Sequence, residues 1–173
     1  MTNSLINGYT NKNHIYNKER FMKHLLVLLS LIALVPTMSV AGDKGLINKK
    51  SQHSVKVTLD RLENVLRKKG ITIVTRWSHH AGAKKAGIEL RPTELLIFGN
   101  PKMGSHFFTS NQTAGIDLPM KALAWKDEKG QVWLTYNDPA YIANRHGIND
   151  REKIKNKMTG ALNNLTNAAT GNK

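Results

Sequence analysis

Residues 42–173 read as an α+β fold, a mainly antiparallel sheet with helices packed on one face, plus an extra C-terminal helix. Three observations predict it. Strand-like and helix-like stretches follow one another without strict strand–helix–strand alternation, which excludes a doubly wound parallel sheet. Asp127-Glu128-Lys129-Gly130 separates two β-type runs of similar length, the pattern of a hairpin. Two long stretches, residues 54–70 and 150–169, carry apolar residues at helical spacing.

Taken in order, residues 45–53 are polar but suit an extended first strand. In residues 54–70, Val55, Leu59, Leu62, Val65 and Leu66 fall on one face. Ser54 is placed to cap that helix, basic residues fill its last turn, and Gly70 suits a left-handed stop. Residues 71–77, ITIVTRW, are β-branched and alternating. Residues 78–87 form an alanine-rich loop with a short helical turn. Residues 93–99 are a second strand. Leu95-Leu96-Ile97-Phe98 is apolar at every position, which predicts a central place in the sheet. A short helix is expected near residues 105–111. Residues 120–126 and 131–136 form the hairpin. Pro139 opens a short helix, at the position proline fits best. The C-terminal helix places Ile154, Met158, Ala161, Leu162 and Leu165 together.

The N-terminal part is of another kind. Residues 1–21 are polar and Asn-rich. Met22-Lys23-His24 then precedes the run LLVLLSLIALV and the small residues Ser39 and Ala41. A basic start, an apolar centre and a small-residue cleavage pattern describe a secretory signal peptide over residues 22–41, cut after Ala41. The apolar run falls well short of the roughly 20 residues that a membrane-spanning helix needs. The expected location is therefore periplasmic or secreted, with no transmembrane anchor after cleavage. Met22 is expected to be the true start, with residues 1–21 an untranslated upstream extension.

The chain has no cysteine, which excludes disulfides, thiol nucleophiles and cysteine zinc sites. Its formal charge is +14, from 26 Lys and Arg against 12 Asp and Glu. Such a balance raises nucleic acid as a partner. Export argues against it, as does the scatter of basic residues with no interleaved aromatics. A solvated basic surface, or attraction to an acidic polymer or anionic lipid, fits better.

Four segments carry a resemblance. They are Ser78-His79 with Ala81 and Ala83, the run Arg91 to Pro101 (RPTELLIFGNP), Gly115 to Lys121 (GIDLPMK), and Val132 to Pro139 (VWLTYNDP). Together, in order, they resemble the bacterial domain-of-unknown-function 302 family over about residues 45–148. The resemblance implies a compact α+β domain, in a family that is often dimeric and is named for its lack of known activity. It implies fold and not mechanism. By the same resemblance the domain covers residues 42–148, and residues 149–173 are an added helix and tail.

Candidate site residues come from the strand ends. His79 follows a strand and is a candidate acid/base or ligand, or else a histidine that orders a loop. Asp117, in the apolar setting Gly-Ile-Asp-Leu-Pro, must find donors. It either orients His79 or ties loops together. Asn100, Tyr136, Asn137 and His79 form a candidate ligand-binding rim. Asp138 suits a helix cap, which leaves Tyr136 and Asn137 without a structural explanation. His146 suits the end of a helix. No HExxH, GxGxxG, Walker A or GxSxG motif occurs, so neither metal nor cofactor is assigned.

The residues thus point to an exported binding or accessory domain for a small molecule or acidic polymer, expected to be a homodimer. The alternative is a hydrolase or isomerase with His79 as acid/base and Asp117 as its orienter. N-terminal sequencing of the exported protein should begin at Gly42, and an intact 22–41 segment would refute cleavage.

Overall fold

The computed structural model describes residues 45–172. The expected signal peptide, the upstream extension and the proposed start at Met22 lie outside the described residues. The described residues all belong to a single compact unit, which includes the C-terminal helix.

The elements are β1 (Leu46–Ser51), α1 (Val55–Lys68), β2 (Thr72–Ser78), α2 (His79–Lys85), β3 (Thr93–Gly99) and α3 (Pro101–Ser110). A 3-10 turn (Gln112–Ile116), β4 (Met120–Lys126), β5 (Val132–Asn137), α4 (Pro139–Arg145) and α5 (Glu152–Thr170) follow. The five strands form one sheet in the order β1-β5-β4-β3-β2, and every neighbouring pair is antiparallel. The fold is therefore α+β, with the last helix C-terminal.

Register decides which residues face inward. Leu96 pairs with Ala122, and Ala122 with Tyr136, so these three share one face with Phe98, Ala124 and Leu134. All six are buried. α1 covers this face with Leu59, Leu62 and Leu66, all at 0% exposure. Each buried leucine contributes about 1.5–3 kcal/mol of apolar burial. Ser54 Oγ accepts the Val57 amide at 3.3 Å, so α1 starts at its cap. Gly70, at φ +66, ends it in the left-handed region.

Two expectations change. β4, not β3, is the middle strand. Leu95 and Ile97 alternate outward onto the second face and stay half-buried, because strand side chains alternate and only one face is covered. The C-terminal helix is also no appendage beyond residue 148. α5 packs on α1 and α4, and buries Met158, Leu162, Leu165 and Ala169 in the common core. Lys49, on the edge strand β1, donates to the Asn163 carbonyl at 2.9 Å and to its side chain at 2.7 Å, which ties the edge to α5. Burial lowers the pKa of this lysine.

The second face carries Trp77, Leu95, Ile97, Leu123, Trp125 and Trp133. Trp125 and Trp133 stack at 6.4 Å between ring centroids. Trp125 Nε1 donates to Thr135 Oγ1 at 2.8 Å, and that hydroxyl donates to Asn48 at 2.6 Å. Trp77 is 60% exposed.

Arg76 joins the layers. Its guanidinium meets Asp60 at 2.7 Å and Glu63 at 3.3 Å on α1, and Glu94 at 2.6 Å on β3. Burial works against its charge, but Asp60 and Glu94 outweigh that and raise its pKa. Lys56, then Arg76, hold the Asp60 carboxyl below its usual range. Arg76→Met is expected to cost about 2 kcal/mol in urea unfolding at pH 7, between the values for exposed and buried pairs. Because the folded Asp60 value is depressed, its contribution is complete above an unfolded value of about 3.9 and is lost as pH falls through the folded value. The variant should therefore lose stability less steeply than wild type in that acid window, and parallel pH–stability curves would contradict this origin.

Candidate functional site: an apolar trough at the strand ends

β3 and β5 both run antiparallel to β4, so their C-terminal ends and the start of β4 lie at the same end of the sheet. Asn100 sits there, just past β3. Its Oδ1 accepts the Lys102 amide at 3.0 Å, and Pro101 occupies the first turn of α3. The helix therefore begins at Pro101, earlier than the residues near 105 from which it was expected. Gly99 lets the chain pass Pro119 closely, since a Cβ at Gly99 would lie 3.1 Å from the Pro119 side chain. The Leu118–Pro119 bond is cis.

Two adjoining cavities open beside this junction. One, of about 260 Å³, lies between the start of β2, α3 and the Leu118–Met120 segment. The other, of about 220 Å³, lies between the end of α1, β3 and α5. They share Gly99, Asn100, Met103, Met120 and Met158. Every methionine among the described residues thus stands in the wall between them. The remaining lining is mostly apolar, with Phe108 and Leu118 in the first and Phe98, Leu162 and Leu165 in the second. Lys69 and Lys157 edge the second cavity, and no carboxylate lines either.

The other candidate residues go elsewhere. His79 opens α2 at the far end of the sheet. Ser78 pairs with Glu94 and Phe98 with Met120, and four residues of strand separate those rungs by about 13 Å. The pairing of His79 with Asp117 is therefore corrected, because the sheet length puts them out of hydrogen-bond reach. Tyr136 is 5% exposed and faces the core. Burial raises its phenol, partly offset by the Thr166 hydroxyl. Asn137 pairs with Leu46 across the edge, and Asp138 Oδ1 accepts the Ala140 amide at 2.9 Å, capping α4. Of the expected rim of Asn100, Tyr136, Asn137 and His79, only Asn100 lines the cavities.

Asp117 has other partners. One oxygen lies 2.7 Å from His146 Nε2 and the other 3.2 Å from Arg145. The second ring nitrogen of His146 lies 2.8 Å from Thr113 Oγ1, which is itself 2.8 Å from the Asn111 side chain. Thr113 has a single hydroxyl hydrogen, which it donates to the Asn111 side-chain oxygen, so its lone pair faces the His146 ring. Asn111 Nδ2 also donates to the His146 carbonyl at 2.8 Å. The cluster fastens the 3-10 turn to the end of α4, directly before the Leu118 and Pro119 that wall the first cavity.

Met103, Met120, Met158, Lys69 and Lys157 were not singled out from the sequence as a site. They come from separate elements, and no local period connects them.

The class defined by this geometry is an α+β domain with an apolar trough at one end of an antiparallel sheet. Residues 47–165 match the model of the family described as domain of unknown function DUF302, and the chain belongs to that family. The match runs well into α5. The crystal structure of an uncharacterized conserved DUF302 protein from Bacillus stearothermophilus has a similar fold, with a TM-score of 0.67 and 16% identity, covering 73% of this chain and 99% of that one. Fluoride-specific ion channel FluC 1 of Brucella suis biovar 1 (strain 1330) is 46% identical over 127 residues, covering 72% of this chain and 50% of that protein. FluC 2 of Brucella melitensis biotype 1 matches at the same identity over 47% of its length. This chain spans about half the length of these relatives.

Asp117→Asn and His146→Asn should each destabilise the fold by about 1–3 kcal/mol, the range for charge-assisted hydrogen bonds. A double-mutant cycle in urea should give a coupling near 1 kcal/mol. Strict additivity would contradict the pairing.

Proposed function

We propose that the protein is an exported accessory domain that binds a small molecule in the trough beside Asn100. The observation that carries this reading is the pair of adjoining apolar cavities at the strand ends, lined by a few polar side chains. The lining supports binding better than proton transfer, since it holds no histidine and no carboxylate. Export rests on the signal-peptide pattern of residues 22–41. Homodimer formation is part of the proposal, supported by the half-open second sheet face with the exposed Trp77 on it.

The Brucella relatives are named as fluoride channels. Among the described residues, no helix is long and apolar enough to cross a membrane. We therefore assign the channel name to the part of those proteins outside the match. The matched half is read as an accessory domain, and this chain as a separate version of it.

Native mass spectrometry of the purified protein should show a bound small molecule. Ser105→Trp and Ala161→Trp introduce bulk from exposed lining positions, one into each cavity. Both variants should keep wild-type thermal unfolding and lose the adduct. Bare protein mass in all three samples would count against ligand binding.

A further inference from the structure

We infer that the trough takes a long-chain monocarboxylate, with its tail among the methionines and its head between Lys69 and Lys157. This rests on the binding reading above and adds the chemical class of the ligand.

The tail follows from the wall. Met103, Met120 and Met158 separate two apolar cavities of about 260 and 220 Å³. Methionine is unbranched and turns about three bonds, so a wall of thioethers yields to a flexible chain where branched residues would resist. Rotation of these side chains joins the cavities into one trough. Polar lining is confined to Thr72, Asn100 and Ser105 besides the two lysines, too little to match a sugar.

The head follows from charge. Lys69 and Lys157 make no ion pair or side-chain hydrogen bond among the described residues, and both are exposed at the edge of the second cavity. With no carboxylate in the lining, a cationic head has no partner, whereas an anion meets two ammonium groups next to an apolar slot. A phosphate fits less well. The lining has no arginine to grip it bidentately. The first amides of α3 are also already taken, those of Met103 and Gly104 by the Asn100 carbonyl at 2.9 Å and that of Lys102 by the Asn100 side chain. Two flexible ammonium groups and no preformed anion nest suit a small carboxylate at the mouth.

The test is fluorescence titration with cis-parinaric acid, a fluorescent long-chain carboxylate, and with its methyl ester. The acid should bind saturably at one site per chain, and the ester at least about tenfold more weakly, the effect of losing one charge-assisted contact. Lys69→Glu combined with Lys157→Glu should weaken the acid by a similar factor or more and leave the ester unchanged. Ala161→Trp should weaken both. Equal affinity for acid and ester, or indifference to the double charge reversal, would overturn the head assignment. Failure of both probes to bind would overturn the acyl class. The binding reading is then judged separately by the native mass measurement, where a bound molecule of another class sustains it and bare protein removes it.

Discussion

The structure depends on how closely α1 approaches the sheet. Ala122 and Ala124 stand on the covered face of the middle strand, both at 0% exposure. Small residues there leave room for Leu59, Leu62 and Leu66, which insert over β4 and its neighbours. A larger residue at either alanine would push the helix off the sheet or force strained rotamers. Once α1 is seated, the remainder follows. α5 closes on α1 and on the edge strand β1, and Arg76 locks α1 to β2 and β3. The residual space between α1, α3 and α5 at the end of β3 becomes the trough. The cavities are therefore a consequence of three helices meeting one sheet end.

Much of the architecture was legible because its signals are local. The apolar face of α1, the alternation of β2, the Asp127–Gly130 turn and the Asp138-Pro139 cap each lie within a few residues of chain. Asn100-Pro101 repeats the same cap-and-proline signature at the start of α3, upstream of the residues from which that helix is expected. Asn100 both caps α3 and stands in the cavity wall, so its capping role and its place at the site are compatible. The apolar run Leu95–Phe98 gave a real strand but the wrong position, since half of it faces a surface shielded only in part by stacked tryptophans and neighbouring strands.

The site was less legible because it is assembled from distant pieces. His79 and Asp117 both sit next to strands, but at opposite ends, and sequence spacing does not encode which end. Asp117 instead found His146, 29 residues later, through the turn that brings α4 back against the 3-10 segment. The three methionines belong to α3, β4 and α5, and nothing in their spacing predicts that they share a wall. Membership in the DUF302 family fixes the fold. The trough carries the proposed chemical reading, that of a container for an apolar chain with an acidic end.

The most direct measurement is NMR of protein carrying ¹³C-methyl methionine, with resonances assigned by single Met→Leu substitutions, before and after a saturating long-chain carboxylate is added. The account predicts that the signals of Met103, Met120 and Met158 shift together and saturate at one equivalent, while the Trp77 indole, at the far end of the sheet, stays in place. Unmoved methionine signals, or a response centred on Trp77, would contradict it.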